Sequence, residues 1–399
     1  MRVFGIICEY NPFHCGHKWQ LDELRRRNGT EECGIVCAMS GEFVQRGDFA
    51  IERAHARAEA AVRGGADLVL ELPLPWSIAS AEGFARGGVG VLSATGIVDT
   101  LVFGSECGET EKLRRAAEAL LRKDFSERLR DELSKGLSFA AARESAARTL
   151  IGEDAGVLAE PNDILGVEYC KALLQSGSTI TPLAMERRAV GHNEGAAEGF
   201  ASASYIRALL AGGEDASAFL TAESAAIYAR ECAAGRAPVT MKGAERAMLS
   251  RLRMLEEADF ARYDSGGEGL YRRFYAAVRT AASVDELLGT VKTKRYAYAR
   301  LRRMLLAAYL DIAAAELPQE IPYLRVLACN ERGRMLLRAI KNEGSAPVLT
   351  KSADVRSLSE EAQRLFALSA RACDQYVLAY PELRVAKGGG AWTQGPVIV

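Results

Sequence analysis

The stretch Glu9-Tyr10-Asn11-Pro12-Phe13-His14-Cys15-Gly16-His17 follows the apolar run Val3-Phe4-Gly5-Ile6-Ile7-Cys8 and precedes a helix-like segment from about Lys18. This handover from strand to helix decides the fold. A short β-branched run that ends in a polar loop reads as a buried parallel strand. In open α/β sheets, ligands bind beyond the carboxyl ends of the strands. A helix beginning there turns its free N–H groups and positive dipole end to the same place. Gly16 lets a phosphate come close to the backbone. His14 and His17, three apart, share one face of the first helical turn and can donate to phosphate oxygens. Protonated, they would offset charge on a departing pyrophosphate. Taken alone, the pair also fits a metal site or helix capping, although no third ligand is evident nearby.

Further apolar runs continue the pattern. Strands are expected at Arg2–Cys8, Cys33–Met39, Ala66–Leu72, Thr100–Ser105 and Ser178–Arg187. Helical periodicity lies between them, at about Lys18–Arg27, Glu52–Arg63 and Ser77–Ser93. The alternation predicts an α/β fold with a doubly wound parallel sheet. Glu109–Leu150 reads as two or three inserted helices, and Pro161-Asn162-Asp163 as the start of another. Past about residue 212 the strand signals fade and helical composition dominates. This divides the chain into 1–212, with a helical insert at about 108–160, and a mostly helical part, 213–399, with a mobile tail around Gly388-Gly389-Gly390.

The totals restrict the function. The chain has 399 residues with a formal net charge of -1, so any nucleic-acid surface must be a local patch. Nine scattered cysteines without a CxxC pair, and no secretory signal, predict free thiols in the cytoplasm. No carboxylate cluster marks a protein-held metal, so Mg²⁺ is expected only with a nucleotide. Between Met241 and Leu310, 14 Lys and Arg stand against 8 Asp and Glu. The sharpest piece runs from Lys292 to Arg303. Its Lys292, Lys294, Arg295, Arg302 and Arg303 are candidates for RNA phosphates, with interleaved tyrosines to stack on bases. A solvated helix face gives the same charge run.

PFHCGH resembles the HxGH signature of the nucleotidylyltransferase superfamily, and Ser202-Ala203-Ser204-Tyr205-Ile206-Arg207 resembles its S-x-S/T-x-I-R phosphate motif. GIICEYNPFHCGH, AMSGEFVQRGDFAI, GADLVLELP, FGSECG, PNDILGVEY and SASYIR occur in one order. That set resembles the tRNA(Met) cytidine acetate ligase family.

The resemblance implies a HIGH-type, Rossmann-like nucleotidyltransferase domain and a C-terminal tRNA-binding domain. It implies an enzyme that activates acetate with ATP as acetyladenylate, then acetylates the wobble cytidine of elongator tRNA(Met) to N4-acetylcytidine. His14 and His17 are the implied catalytic pair. The implied ATP site spans Ile7, Cys8, Glu9, Tyr10, Asn11, Pro12, Phe13, His14, Cys15, Gly16, His17, Lys18, Trp19 and Gln20. Gly104, Asn162, Arg187, Arg188, Ser202, Ser204 and Arg207 complete it. Ser40-Gly41-Glu42 and Gln45-Arg46-Gly47 are candidates to border the acetate or cytidine pocket. Two places depart from the pattern: Phe49 and Ala54 stand where a proline and a lysine are expected, with Arg53 as a substitute cation. A small-molecule adenylyltransferase is the alternative, and a non-catalytic RNA-binding protein the third reading.

Overall fold

A computed structural model describes residues 1–29, 32–187, 196–197, 200–264, 266, 269–313 and 318–399. Five parallel strands form the centre: β1 (Arg2–Cys8), β2 (Cys33–Ser40), β3 (Leu68–Leu72), β4 (Thr100–Ser105) and β5 (Thr181–Glu186). Their order is β3-β2-β1-β4-β5. The chain reverses its direction of travel between β1 and β4, the switch point at which such sheets bind ligands. All eight residues of β2 are buried, which explains why it reads as a continuous apolar run rather than an alternating one.

The expected helices form. Cys15–Asn28, Ala54–Arg63 and Ala81–Ala94 alternate with the strands, a short 3₁₀ turn at Trp76–Ile78 preceding the last. The insert is three helices, Thr110–Leu120, Lys123–Ser134 and Phe139–Ile151. The helix Pro161–Ser176 carries proline in its first turn.

The part beyond residue 212 is mostly helical, yet it also completes the sheet. β6 (Leu324–Cys329) runs antiparallel beside β3. β7 (Val348–Leu349) and β8 (Val397–Ile398) both pair with β6. Arg325, buried in β6, reaches Glu71 of β3 at 3.1 Å and Ala391 O at 3.2 Å. The tail expected to be mobile is therefore tied down. Gly389 N donates to Asp374, Gly390–Thr393 is helical, and Val397 aligns with Ala328.

Candidate active site

The helix Cys15–Asn28 starts three residues before the expected position, and His14 is its N-cap. His14 Nδ1 accepts from Gly16 N at 3.1 Å, and His17 Nδ1 accepts from His14 N at 3.3 Å. The two histidines therefore satisfy the helix end reciprocally, as a capping box does with serine and glutamate. A Cβ on Gly16 would lie 3.0 Å from the His14 ring, so glycine makes room for this cap. The rings stack at 3.7 Å.

Each Nδ1 accepts a backbone proton, so each neutral ring carries its own proton on Nε2. Burial, then Arg187 and Arg207, push the His14 pKa down to about 3. Burial, then His14 and Arg187, hold His17 well below its ordinary value. Both imidazoles are thus neutral donors at neutral pH before a ligand enters, not the imidazolium pair considered from sequence. An arriving triphosphate raises both pKa values by placing negative charge beside them.

The loop ahead of the pair is held from five directions. Tyr10, with φ of 44°, turns the chain out of β1. Its ring is 4.8 Å from that of His17 and its hydroxyl is 3.7 Å from Cys37 Sγ. Ile51 N donates to Asn11 Oδ1 at 2.8 Å, and Ser224 Oγ donates to Phe13 O at 2.7 Å. Arg207 Nη1 donates to Asn11 O at 2.7 Å. Arg57, wholly buried, donates to the carbonyls of Glu9, Ser40, Gly41 and Glu52, joining the ends of β1 and β2.

Not every residue of the 7–20 stretch presents a side chain to a ligand. Ile7, Tyr10 and Phe13 are buried in the apolar core. Burial, then the neighbouring Cys37 thiol, pushes the Cys8 thiol up. Cys15 and Gln20 are half-buried, Trp19 packs partly on the core, and Lys18 pairs with Asp22 along the helix. Pro12 follows a cis peptide bond. Glu9 accepts from Gln45 N at 2.7 Å, and burial raises its pKa against Arg207, Arg57 and Arg46.

Gly104, Asn162 and Arg187 meet at the strand ends. Gly104, the penultimate residue of β4, lies beside Arg187, whose side chain would be 3.2 Å from a Cβ placed there. Arg187 Nη1 donates to Asn162 Oδ1 at 3.2 Å. Ser202 caps the helix Ala203–Gly212 by accepting from Tyr205 N, and its hydroxyl is 3.0 Å from that of Ser204. Phe200, two residues earlier, approaches Gly16, so this helix start neighbours the histidine turn. Arg188 lies outside the described residues. Arg53, the expected substitute cation, has its guanidinium held by Glu231 at 2.8 Å and by Gln394. Glu106, which the sequence reading passed over, accepts from Asn162 and Asp163. Its signal was its place directly after β4.

The basic segment divides. Lys294 and Arg295 are exposed. Lys292 is half-buried, its Nζ donating to Thr293 O and lying over the Tyr298 ring. Arg302 and Arg303 lie in the second turn of the helix Tyr298–Leu310, where it packs on the Gly47 turn. Arg302 pairs with Asp48 at 2.8 Å, and burial, then Arg300, lower the Arg303 pKa to about 10. Among the described residues no group of three or more His, Cys, Asp or Glu is placed to hold a metal ion, all nine cysteines are free, and no helix is long and apolar enough to cross a membrane.

A neutral histidine pair at the switch point of a parallel sheet, with two arginines beside it, is the site of a nucleotidyltransferase. The family model described as HIGH Nucleotidyl Transferase matches residues 1–389. The tRNA(Met) cytidine acetate ligase of Fervidobacterium nodosum is 37% identical, covering 92% of this chain and 88% of the relative. That of Acetivibrio thermocellus is 35% identical over the full length of both. Thermotoga maritima TmcAL bound with alpha-thio ATP superposes with a TM-score of 0.93 at 32% identity, covering 100% of this chain and 99% of that one. The chain belongs to the tRNA(Met) cytidine acetate ligase family.

Proposed function

We propose that this chain activates acetate with ATP and transfers the acetyl group to the wobble cytidine of elongator tRNA(Met). An acetate oxygen attacks the α-phosphorus. The bond to the β-phosphate bridge breaks, and pyrophosphate leaves with the electron pair. The cytidine N4 amine then attacks the acetyl carbonyl of acetyladenylate. The C–O bond to AMP breaks, N4 loses a proton, and N4-acetylcytidine results.

The observation that carries this reading is the pair of Nε2–H donors at the helix start. Phosphoryl-site catalysis is mostly positioning and charge stabilisation. His14 and His17 donate to the triphosphate, and Arg187 and Arg207 offset the charge that builds on the leaving pyrophosphate. Gly16 permits close approach to the backbone. Gly104 and Asn162 flank the nucleoside half, and Ser202 and Ser204 add hydroxyls near the phosphates. Mg²⁺ enters with ATP as part of the substrate. Lys292, Lys294 and Arg295 carry tRNA phosphates in the C-terminal part, 213–399, and a cytoplasmic tRNA is the acceptor. Ser40-Gly41-Glu42 and Gln45-Arg46-Gly47 border the acceptor side of the crevice.

The small-molecule adenylyltransferase reading accounts only for the part before the helical C-terminus, whereas the relatives match along nearly the whole chain. Pyrophosphate release separates the two. Release from ATP that requires acetate and is accelerated by tRNA supports the ligase. Release that requires a mononucleotide acceptor, and ignores acetate, supports the alternative.

A further inference from the structure

Glu106 follows β4 and sits under the start of the helix Pro161–Ser176. One carboxylate oxygen accepts from Asn162 Nδ2 at 2.6 Å and from Asn162 N at 3.2 Å. The other accepts from Asp163 N at 2.9 Å. An ionised carboxylate only accepts, so it commits the NH₂ side of the Asn162 amide to itself. Asn162 Oδ1 must then face the other way. It does so, toward Arg187 Nη1 at 3.2 Å. Arg187 stands close enough to His14 and His17 to shift both. Asp163 holds the turn carrying Glu106 in place. Its carboxylate accepts from Ser105 Oγ, from Glu106 N at 2.9 Å and from Cys107 N at 3.2 Å.

This arrangement has a chemical consequence. When the phosphates draw Arg187 toward them, Asn162 Oδ1 is left as a fixed acceptor beside the nucleoside half of the ligand. Asn162 is half-buried, and a bound nucleoside would close its Oδ1 off from water; a fixed acceptor covered in this way rewards a donor and rejects a nucleotide that lacks it.

We infer that Glu106 is a positioning and specificity-determining residue: it locks the Asn162 amide so that Oδ1 selects a hydrogen-bond donor on the nucleoside of ATP. Two donors have this chemistry, the exocyclic amine of adenine and a ribose hydroxyl. The inference rests on the ATP reading above.

The test measures kcat/KM for pyrophosphate release from ATP, purine riboside triphosphate, 2′-deoxy-ATP and 3′-deoxy-ATP, with acetate and tRNA present. The natural chain should disfavour one of the three analogues about tenfold or more, the size expected for one acceptor left unpaired beneath a bound ligand. The analogue disfavoured names the donor. In Glu106→Gln and Glu106→Ala that preference should shrink to within about threefold. In the glutamine variant either Asp163 N–H loses its acceptor or Asn162 turns Oδ1 back toward the new donor. Asn162→Ala should shrink it equally, and Glu106→Asp should restore part of it. A role limited to capping the helix predicts otherwise: lower thermal stability, with all four nucleotides slowed by one factor. That result, or a natural chain that treats all four alike, overturns the inference. Absence of any ATP-dependent release would instead remove the reading on which it stands.

Discussion

Arg302 Nη1 lies 2.8 Å from Asp48 Oδ2, so a helix of the C-terminal part is bonded to the hairpin that follows β2. The contact is backed by main chain. A Cβ on Gly47, whose φ is +76°, would stand 2.4 Å from Arg303 N. Asp48 and Arg302 both act electrostatically on Arg207, which holds the histidine loop through Asn11 O. The basic segment and the nucleotide site are thus one packed unit at this point.

Gly47→Ala should be among the costliest small substitutions in the chain. The added methyl meets backbone rather than a flexible side chain, and φ is positive. Overpacking of this kind costs about 1–3 kcal/mol, with the conformational strain added to it. A lowered thermal midpoint is the expected readout. A midpoint within a degree of the natural chain would contradict the packing described.

Arg302 and Lys294 should separate in titrations. Lys294→Ala should weaken tRNA binding modestly and make its salt dependence shallower by about one ion, since each neutralised phosphate releases condensed counterions. Arg302→Ala should leave the salt slope unchanged and cost about 1 kcal/mol of stability, a partly exposed pair being screened by solvent. The check is tRNA affinity across a salt series, with thermal unfolding alongside.

His14→Asn tests role against fold. Asparagine is a good N-cap, so the helix start and stability should survive. The Nε2–H donor is lost, and turnover should fall by about two to three orders of magnitude. His14→Ala should lose turnover equally and, in addition, about 1 kcal/mol of cap stability. tRNA affinity should hold in both. If the asparagine variant turns over normally, His14 is a cap and nothing more.

Stability should depend on pH in two opposing ways. Burial, then Arg187 and Arg207 for His14 and Arg325 and Arg53 for His55, lowers both folded pKa values to about 3. The unfolded chain binds these protons more readily, so their contribution is present above about 6.5 and is lost as pH falls toward 3. Glu52 runs the other way. Burial raises its pKa to about 8, and neither carboxylate oxygen has a hydrogen-bond partner. Its contribution is present below about 4.5 and is lost as pH rises through 8. Glu52→Gln should therefore raise the thermal midpoint at pH 8 more than at pH 5. An equal shift at both pH values would contradict the burial of an ionisable Glu52.

The strands of the central sheet were legible because buried parallel strands are apolar throughout, and the histidine turn because glycine and proline punctuate it. β6 was not legible. Arg325 interrupts its apolar run, and its neighbours Leu, Ala and Arg are helix formers. A signal did exist in β3: Glu71 in the run Leu68–Leu72 is a carboxylate inside a core strand, and it required a cation from elsewhere. The partner is distant in sequence, so periodicity could not name it. The tail misled for a related reason. Three glycines suggest mobility, but β8 pairs with β6 and holds them. In the site, residue types were readable and protonation was not. The neutral state of His14 and His17 follows from enclosure and from two arginines contributed by separate elements, of which only the fold decides the distance.

The most direct test of the account is transfer of labelled acetate to bulk tRNA by the pure protein, with and without ATP. The account predicts label in the RNA only when ATP is present, released on digestion as N4-acetylcytidine. No label in the tRNA, under conditions where the protein binds ATP, would contradict it.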